Sequence, residues 1–383
     1  MRRPDNDDLA YGLGLALGVL GLIGFGFAAL REARYVDAND FAGIWAGARA
    51  LALGSDPYDA ETWRATALAL QSQIPETAVY GYPAWVAAAL APLALLPLRA
   101  ASLVWTIGGM VLAAAALRAL LRDRVPGLPA VHTLTGLALL LSQPAVISFY
   151  DGQWSYLLIA LVSLALVLER RRPAIAGSIG ALAILAKPHL FLLALPGLAR
   201  EAGPRAALAA VTTAAVAMAI SLAAAPGWVA PYLQHVAASR VPATPRGTAL
   251  PTALFDLVGP AGLWLSAGVL LAVALLAATA APGDRRLAAS LAVSIAFAPY
   301  VWSYDHHLLL VPLVLACGAL RRVALRLALA LAVAGSLLLL IGGTVLHGVF
   351  ADARGSESFN GVVSGGFAVL VTALLRLAPR PRH

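Results

Sequence analysis

An all-α protein that crosses the membrane many times is the fold class this chain predicts, on three observations. Of its 383 residues 61% are hydrophobic and only 12% charged, and its mean hydropathy is +0.82, values far from those of a soluble domain. The apolar residues form continuous runs, several near the roughly 20 residues that a hydrocarbon core about 30 Å thick demands. Arginines cluster between alternate runs, the pattern left when basic residues in short loops stay on the cytoplasmic side.

Each run in turn predicts a helix: residues 10–30, 101–121, 130–149, 154–168, 206–225, 263–281, 287–301, 308–320, 323–346 and 361–375. Residues 10–30 lack a small-residue cleavage site and read as an uncleaved first helix. The arginine clusters at 2–3, 118–124, 170–172, 200–205, 285–286, 321–326 and 376–382 then all face the cytoplasm. A full span at 83–98 would invert every later cluster, so that run, with Pro83, Pro92 and Pro97, predicts a juxtamembrane or re-entrant helix. Residues 174–186 and 190–198 are each too short to cross, yet basic clusters flank the pair on one side. They predict a broken hairpin over 173–199, since irregular backbone at membrane depth is tolerated where it lines a cavity or is buried in protein. The whole is one integral membrane domain, 1–383, of about 11–13 membrane helices counting short, broken and re-entrant ones. Its opposite loops, 31–82, 150–153, 226–250, 299–307 and 347–360, are polar and aromatic. Net charge of +8 implies topology and anionic lipid as the basic residues' business, with no nucleic-acid partner. The lone Cys317 excludes an intrachain disulfide.

Of the 27 lysines and arginines only Lys187 is lysine, and it falls at the hairpin's tip. An ammonium at membrane depth costs roughly 2.5–3.5 kcal/mol even on lenient scales, so it persists where a partner or water compensates it. The expected partner is an anion.

The first exterior loop, 31–82, holds the carboxylates Asp37, Asp40, Asp56 and Asp59. Phe41, Ile44, Trp45, Ala48 and Leu51 recur at helical spacing, which predicts a helix over 41–53 lying in the membrane interface, with Asp40 at its N-terminus and Gly54 closing it. Asp59 opens a second interfacial helix through Gln73. Asp40 reads first as an N-cap, and also as a general base beside an anionic leaving group; the two roles are compatible. Near the outer face, the segment 299–307 carries Tyr304, Asp305, His306 and His307. Adjacent histidines on a helix diverge by about 100° and no zinc-ligand spacing occurs, so no metal is expected. Asp305 is an N-cap candidate or the carboxylate that orients a histidine toward a phosphate oxygen. Asp151-Gly152-Gln153-Trp154 reads as a tight helix connection. Arg240 and Arg246, in the Pro-rich loop 226–250, either grip a phosphate or are solvated.

Taken together, Asp40-Phe41, Gly54-x-x-Pro57-Tyr58, Tyr82-Pro83, Ala91-Pro92-Leu93, Leu96-Pro97, Gly152-Gln153, Lys187-Pro188 and Tyr304-Asp305-His306 resemble the bacterial polyprenol-phosphate-mannose-dependent mannosyltransferases of the GT-C superfamily. The set covers residues 35 to about 315. Ala84 stands where a second proline often follows Tyr-Pro, and Trp154 where the family often has asparagine. The resemblance implies a GT-C-like fold, a lipid-phosphate-linked sugar donor, a glycolipid or glycan acceptor, inversion at the anomeric carbon, and no cofactor. It implies Asp40 as catalytic base. Lys187, His306, His307, Arg240 and Arg246 would hold the donor phosphate, with substrate contacts from Asp37, Tyr82, Gln153, His189, Tyr304 and Asp305. The site would open on the outer face of a bacterial inner membrane. A secondary transporter is the alternative from another class, because broken helices and intramembrane charge also mark transport sites, although no corresponding broken segment occurs in the two halves. A non-catalytic envelope scaffold is the third.

Overall fold

A computed structural model describes residues 6–29, 40–69, 79–239, 247–321, 323–346 and 358–378. Among them, eight helices are long and apolar enough to cross a membrane, and three shorter apolar helices accompany them. In chain order the elements are α1 (Asn6–Ala29), α2 (Asp40–Ala52), α3 (Ala60–Ala69), α4 (Ala84–Ala94), α5 (Leu98–Arg124), α6 (Pro129–Leu141), α7 (Gln143–Asp151), α8 (Ser155–Leu168) and α9 (Pro173–Ala186). They continue with α10 (Leu195–Ala224), α11 (Val229–Ser239), α12 (Leu250–Val258), α13 (Ala261–Ala278), α14 (Asp284–Ala296), α15 (Leu310–Arg321) and α16 (Leu325–Leu337). A π-helical turn at Leu338–Gly342 leads into α17 (Gly343–Leu346), and α18 (Asn360–Leu377) ends the described chain. The protein is a multi-pass membrane protein.

Small residues let the helices approach closely, the packing device of membrane bundles. Gly14, Gly18 and Gly21 of α1 lie against Thr133, Leu140 and Leu141 of α6, where any Cβ would collide. The segment Ser303–Arg321, comprising a 3-10 turn and α15, is 89% buried and forms the bundle's axis, whereas α10 is 11% buried and faces lipid along most of its length.

Between α9 and α10 the helical path is interrupted at Lys187. After α9, Lys187 and the 3-10 turn Pro188–Leu190, the chain descends along α14: Leu193 N–H donates to Ser294 Oγ at 3.1 Å, Gly197 packs on Ser290, and Glu201 pairs with Arg286 at 2.6 Å. Those contacts run antiparallel. At Gly203, with φ 71° and ψ 168° ahead of Pro204, the helical path breaks, and Ala206 comes to rest on Gly177 of α9. Residues 83–98 give α4, 11 residues long and too short to span.

The arginine clusters that the structure describes converge at one end. Arg118 and Arg122 pair with Asp8. Arg124, buried, binds Glu169 at 2.7 Å and Asp284 at 2.5 Å; Arg321 donates to the Arg124 carbonyl at 3.1 Å, and Arg285 to that of Ala378 at 3.2 Å. From that end α9 rises 14 residues, about 21 Å at 1.5 Å per residue, before the helix breaks at Lys187.

The stripe Phe41, Ile44, Trp45 and Ala48 of α2 is buried, packed under α4 and against α5. Trp45 Nε1 donates to the Leu96 carbonyl at 3.1 Å and Arg49 to that of Ala94 at 3.0 Å, clamping α2 along α4. Gly54, with φ +77°, closes α2 as expected. Asp59 starts α3 by accepting the Thr62 N–H at 2.8 Å; residues 70–78, where that helix was expected to continue to Gln73, lie outside the described residues.

Candidate functional site

Three helical segments run from the arginine end to a common opposite end: α5 from Arg124 back toward Trp105, α8 from Glu169 back to Ser155, and α15 from Arg321 back to the turn Ser303–Leu309. Asp40, Gln153, Lys187 and Asp305 meet there. Each is delivered by a break in helical structure. Asp40 is the first residue of α2. Gly152, at φ 62°, ends α7 in the left-handed conformation that glycine adopts without strain, and Gln153 follows it. Lys187 closes α9, and Asp305 sits in the 3-10 turn that opens α15.

Side chains join these four residues into a chain. Lys187 Nζ binds Asp305 Oδ1 at 2.6 Å with both side chains buried, and donates to Gln153 Oε1 at 3.3 Å. Gln153 Nε2 donates to Asp40 Oδ2. Asp305 Oδ2 accepts the Trp302 N–H at 3.1 Å, so its carboxylate caps the turn with one oxygen and compensates the lysine with the other. The Tyr304 ring covers Lys187 Nζ at 4.5 Å, a cation–π distance, and the Tyr304 carbonyl is held by Ser155 Oγ at 2.8 Å. The anion expected beside Lys187 is thus Asp305 of the protein itself.

Asp40 is exposed to solvent at the N-terminus of α2, with its carboxylate turned to Gln153. Burial pushes its carboxyl above the usual aspartate value; the Lys187 charge and the Gln153 N–H oppose that push, and Asp305 adds to it. Tyr82 lies within the field of Asp40, and burial raises its phenol. Its backbone carbonyl accepts the Tyr58 hydroxyl at 2.5 Å. His189 stands edge-on to Tyr300 with ring centroids 5.7 Å apart, beside Lys187 and Asp305, and its Nε2 is buried without a partner among the described residues. An ammonium between two carboxyl groups, one of them solvent-accessible, offers a proton acceptor and a polarising cation on the same wall. Among the described residues no three His, Cys, Asp or Glu side chains converge as a metal would require.

The structure does not bring every expected residue here. His307 is fully buried, bonded through Nε2 to the Leu139 carbonyl at 3.0 Å and packed edge-on against Tyr156. His306 is buried too, its Nε2 on the Thr248 carbonyl at 3.1 Å. Neither ring joins the chain of side chains from Asp40 to Asp305: with Asp305 turned to Lys187, each of the next two positions of the turn bonds a backbone carbonyl instead. Asp37, Arg240 and Arg246 lie outside the described residues. Conversely, Trp105 escaped sequence reasoning. Its Nε1 donates to the Gly152 carbonyl at 2.8 Å and its ring stacks on Phe41 at 5.4 Å, so one indole ties the residue after Asp40 to the residue before Gln153. The available signal was a lone tryptophan near the exterior end of an otherwise aliphatic run.

Comparison with curated proteins and with solved structures returns no match. The sequence profile described as glycosyltransferase family 87 matches residues 80–342, which takes in Gln153, Lys187 and Asp305 and begins after Asp40. A multi-span, all-helical GT-C-like fold accompanies that match. With well over half of its length matched, the chain belongs to glycosyltransferase family 87.

Proposed function

We propose that this glycosyltransferase moves a sugar, mannose, from a polyprenyl-phosphate donor to a glycolipid or glycan acceptor of the cell envelope, with inversion at the anomeric carbon. The observation that carries the reading is the placement of Asp40 and Lys187 on a single amide, at the end of the bundle away from the arginines. By the positive-inside rule that end faces the exterior or periplasm of a bacterial inner membrane. The polyprenyl tail enters sideways from the bilayer and leaves its phosphate at the level of Lys187.

Asp40 takes the proton of an acceptor hydroxyl while that oxygen attacks the anomeric carbon. The bond from that carbon to the phosphate oxygen breaks, and the electron pair leaves with polyprenyl phosphate. The leaving phosphate gains charge in the transition state, and a cation aimed at it in a water-poor cavity stabilises it more than the same cation in water. Lys187 supplies the cation. An ammonium has three N–H donors, and Asp305 and Gln153 accept two of them. Tyr82, His189 and Tyr304 flank the space where the sugar would sit.

The test is transfer of label from polyprenyl-phosphate mannose to total envelope glycolipid by the purified protein in lipid vesicles. The native protein is expected to transfer and Asp40→Asn to lose at least about a hundredfold, the lower end of general-base catalysis. An unaffected Asp40→Asn variant removes the base assignment. A native protein that transfers nothing from this donor removes the donor class.

A further inference from the structure

Gln153 has an asymmetric side chain held at both ends. Its Nε2 faces Asp40 Oδ2 and its Oε1 faces Lys187 Nζ at 3.3 Å. The reverse orientation would set the amide oxygen against a carboxylate oxygen and the amide N–H groups against an ammonium, two repulsive contacts in place of two attractive ones. The charges on either side therefore fix which way the amide points. Its backbone is fixed as well. Gln153 N–H donates to the Ser148 carbonyl at 3.1 Å, and Trp105 locks Gly152 to Phe41 as described above. Gln153 as a whole is 4% exposed. Rigid support from several elements is what a group needs in order to hold a reacting residue in place.

We infer that Gln153 is a positioning residue. It spans Asp40 and Lys187, sets the distance between them, occupies Oδ2 of Asp40 so that Oδ1 is the oxygen that takes the acceptor's proton, and relays the Lys187–Asp305 pair to that carboxylate. This inference rests on the reading of Asp40 as the base. It reassigns Gln153 from direct substrate contact to action on the protein's own charged groups. Besides Gln153, the titratable or charged groups acting on Asp40 among the described residues are Lys187, Asp305, Tyr82, Tyr300 and Tyr304. None is altered by a substitution at 153. A hydrogen bond given to a carboxylate favours its ionised form, so losing the Gln153 N–H moves the Asp40 titration upward.

Three variants of the full chain in lipid vesicles test this, with polyprenyl-phosphate mannose as donor and envelope glycolipid as acceptor, by kcat, donor KM and the pH profile of kcat. Gln153→Met keeps the length and removes both bonds. It is expected to lower kcat about ten- to a hundredfold, the fold-change of one hydrogen bond to a charged group, with donor KM unchanged and the acid limb moved to higher pH. Gln153→Glu keeps the shape and places a second carboxylate against Asp40, moving the limb further. Gln153→Asn reaches one partner only and should fall between native and Gln153→Met. An acid limb at the native pH in both Gln153→Met and Gln153→Glu overturns the inference, even if stability or kcat has dropped, because a packing role moves those and leaves the limb in place. Should Asp40→Asn transfer at the native rate, the underlying reading fails instead, and the two failures are told apart by which residue carries the loss.

Discussion

Cutting the Lys187–Asp305 pair from one side and then the other separates its structural role from any role toward substrate. The two atoms are 2.6 Å apart and the side chains 8% and 0% exposed. At an effective dielectric of 20 their gross attraction is about 6 kcal/mol, and after desolvation, removing one partner of such a buried pair costs about 3–5 kcal/mol. The two truncations are not equivalent. Lys187→Met leaves Asp305 Oδ1 buried without a cation and should reach the top of that range. Asp305→Asn keeps an acceptor for the Trp302 N–H and leaves the ammonium with Gln153 and the Tyr304 ring face, worth about 2 kcal/mol when desolvated, so it should cost less. The double variant is expected to fall short of the sum by at least about 1 kcal/mol, within the range of contacting pairs. Reversible unfolding by SDS titration from mixed micelles, followed by far-ultraviolet circular dichroism, measures all four corners of the cycle. Losses that add to within about 0.5 kcal/mol, or an Asp305→Asn variant less stable than Lys187→Met, refute the reasoning.

Charge placement at the two ends of the bundle sets the remaining outcomes. Transfer should fall on the acid side as Asp40 takes up a proton, with a midpoint above the roughly 3.9 of an unperturbed aspartate, because burial raises it. Lys187→Met removes the opposing positive charge and should move that midpoint higher still, read from the pH dependence of kcat; movement to lower pH would contradict the sign. At the other end of the bundle, Arg124→Met should destabilise by about 3–5 kcal/mol, since it leaves two partly buried carboxylates unpaired. Arg122→Met, at 52% exposure, should cost under about 1 kcal/mol, and the same SDS titration compares the two.

The membrane fold was legible because hydropathy and arginine placement are one-dimensional signals. Lys187 stood out as a lone lysine within an apolar stretch, and Asp40 by its place just after the first helix. What stayed hidden depends on partners distant in sequence. The spacing of Phe41, Ile44 and Trp45 is the same whether lipid or another helix receives the stripe, and only the approach of α4 decides. Gln153 reads as a turn residue until α2 and the hairpin tip are brought to either side of it. His306 and His307 share their composition with any interfacial pair, and their partners, the Thr248 and Leu139 carbonyls, lie far off in sequence. Arg124 looked like one more cytoplasmic arginine until Glu169 and Asp284 converged on it.

The residues of the Lys187–Asp305 contact are 118 positions apart. A ribosome adding roughly 5–20 residues per second therefore delivers the lysine to the bilayer roughly 6–24 s before its aspartate is synthesised. During that interval the hairpin tip carries an uncompensated charge, which favours holding the α9 segment near the aqueous boundary or the insertion channel until the later helices arrive. Nascent chains stalled before and after residue 305 should accordingly differ in how readily Lys187 reacts with a water-soluble amine reagent.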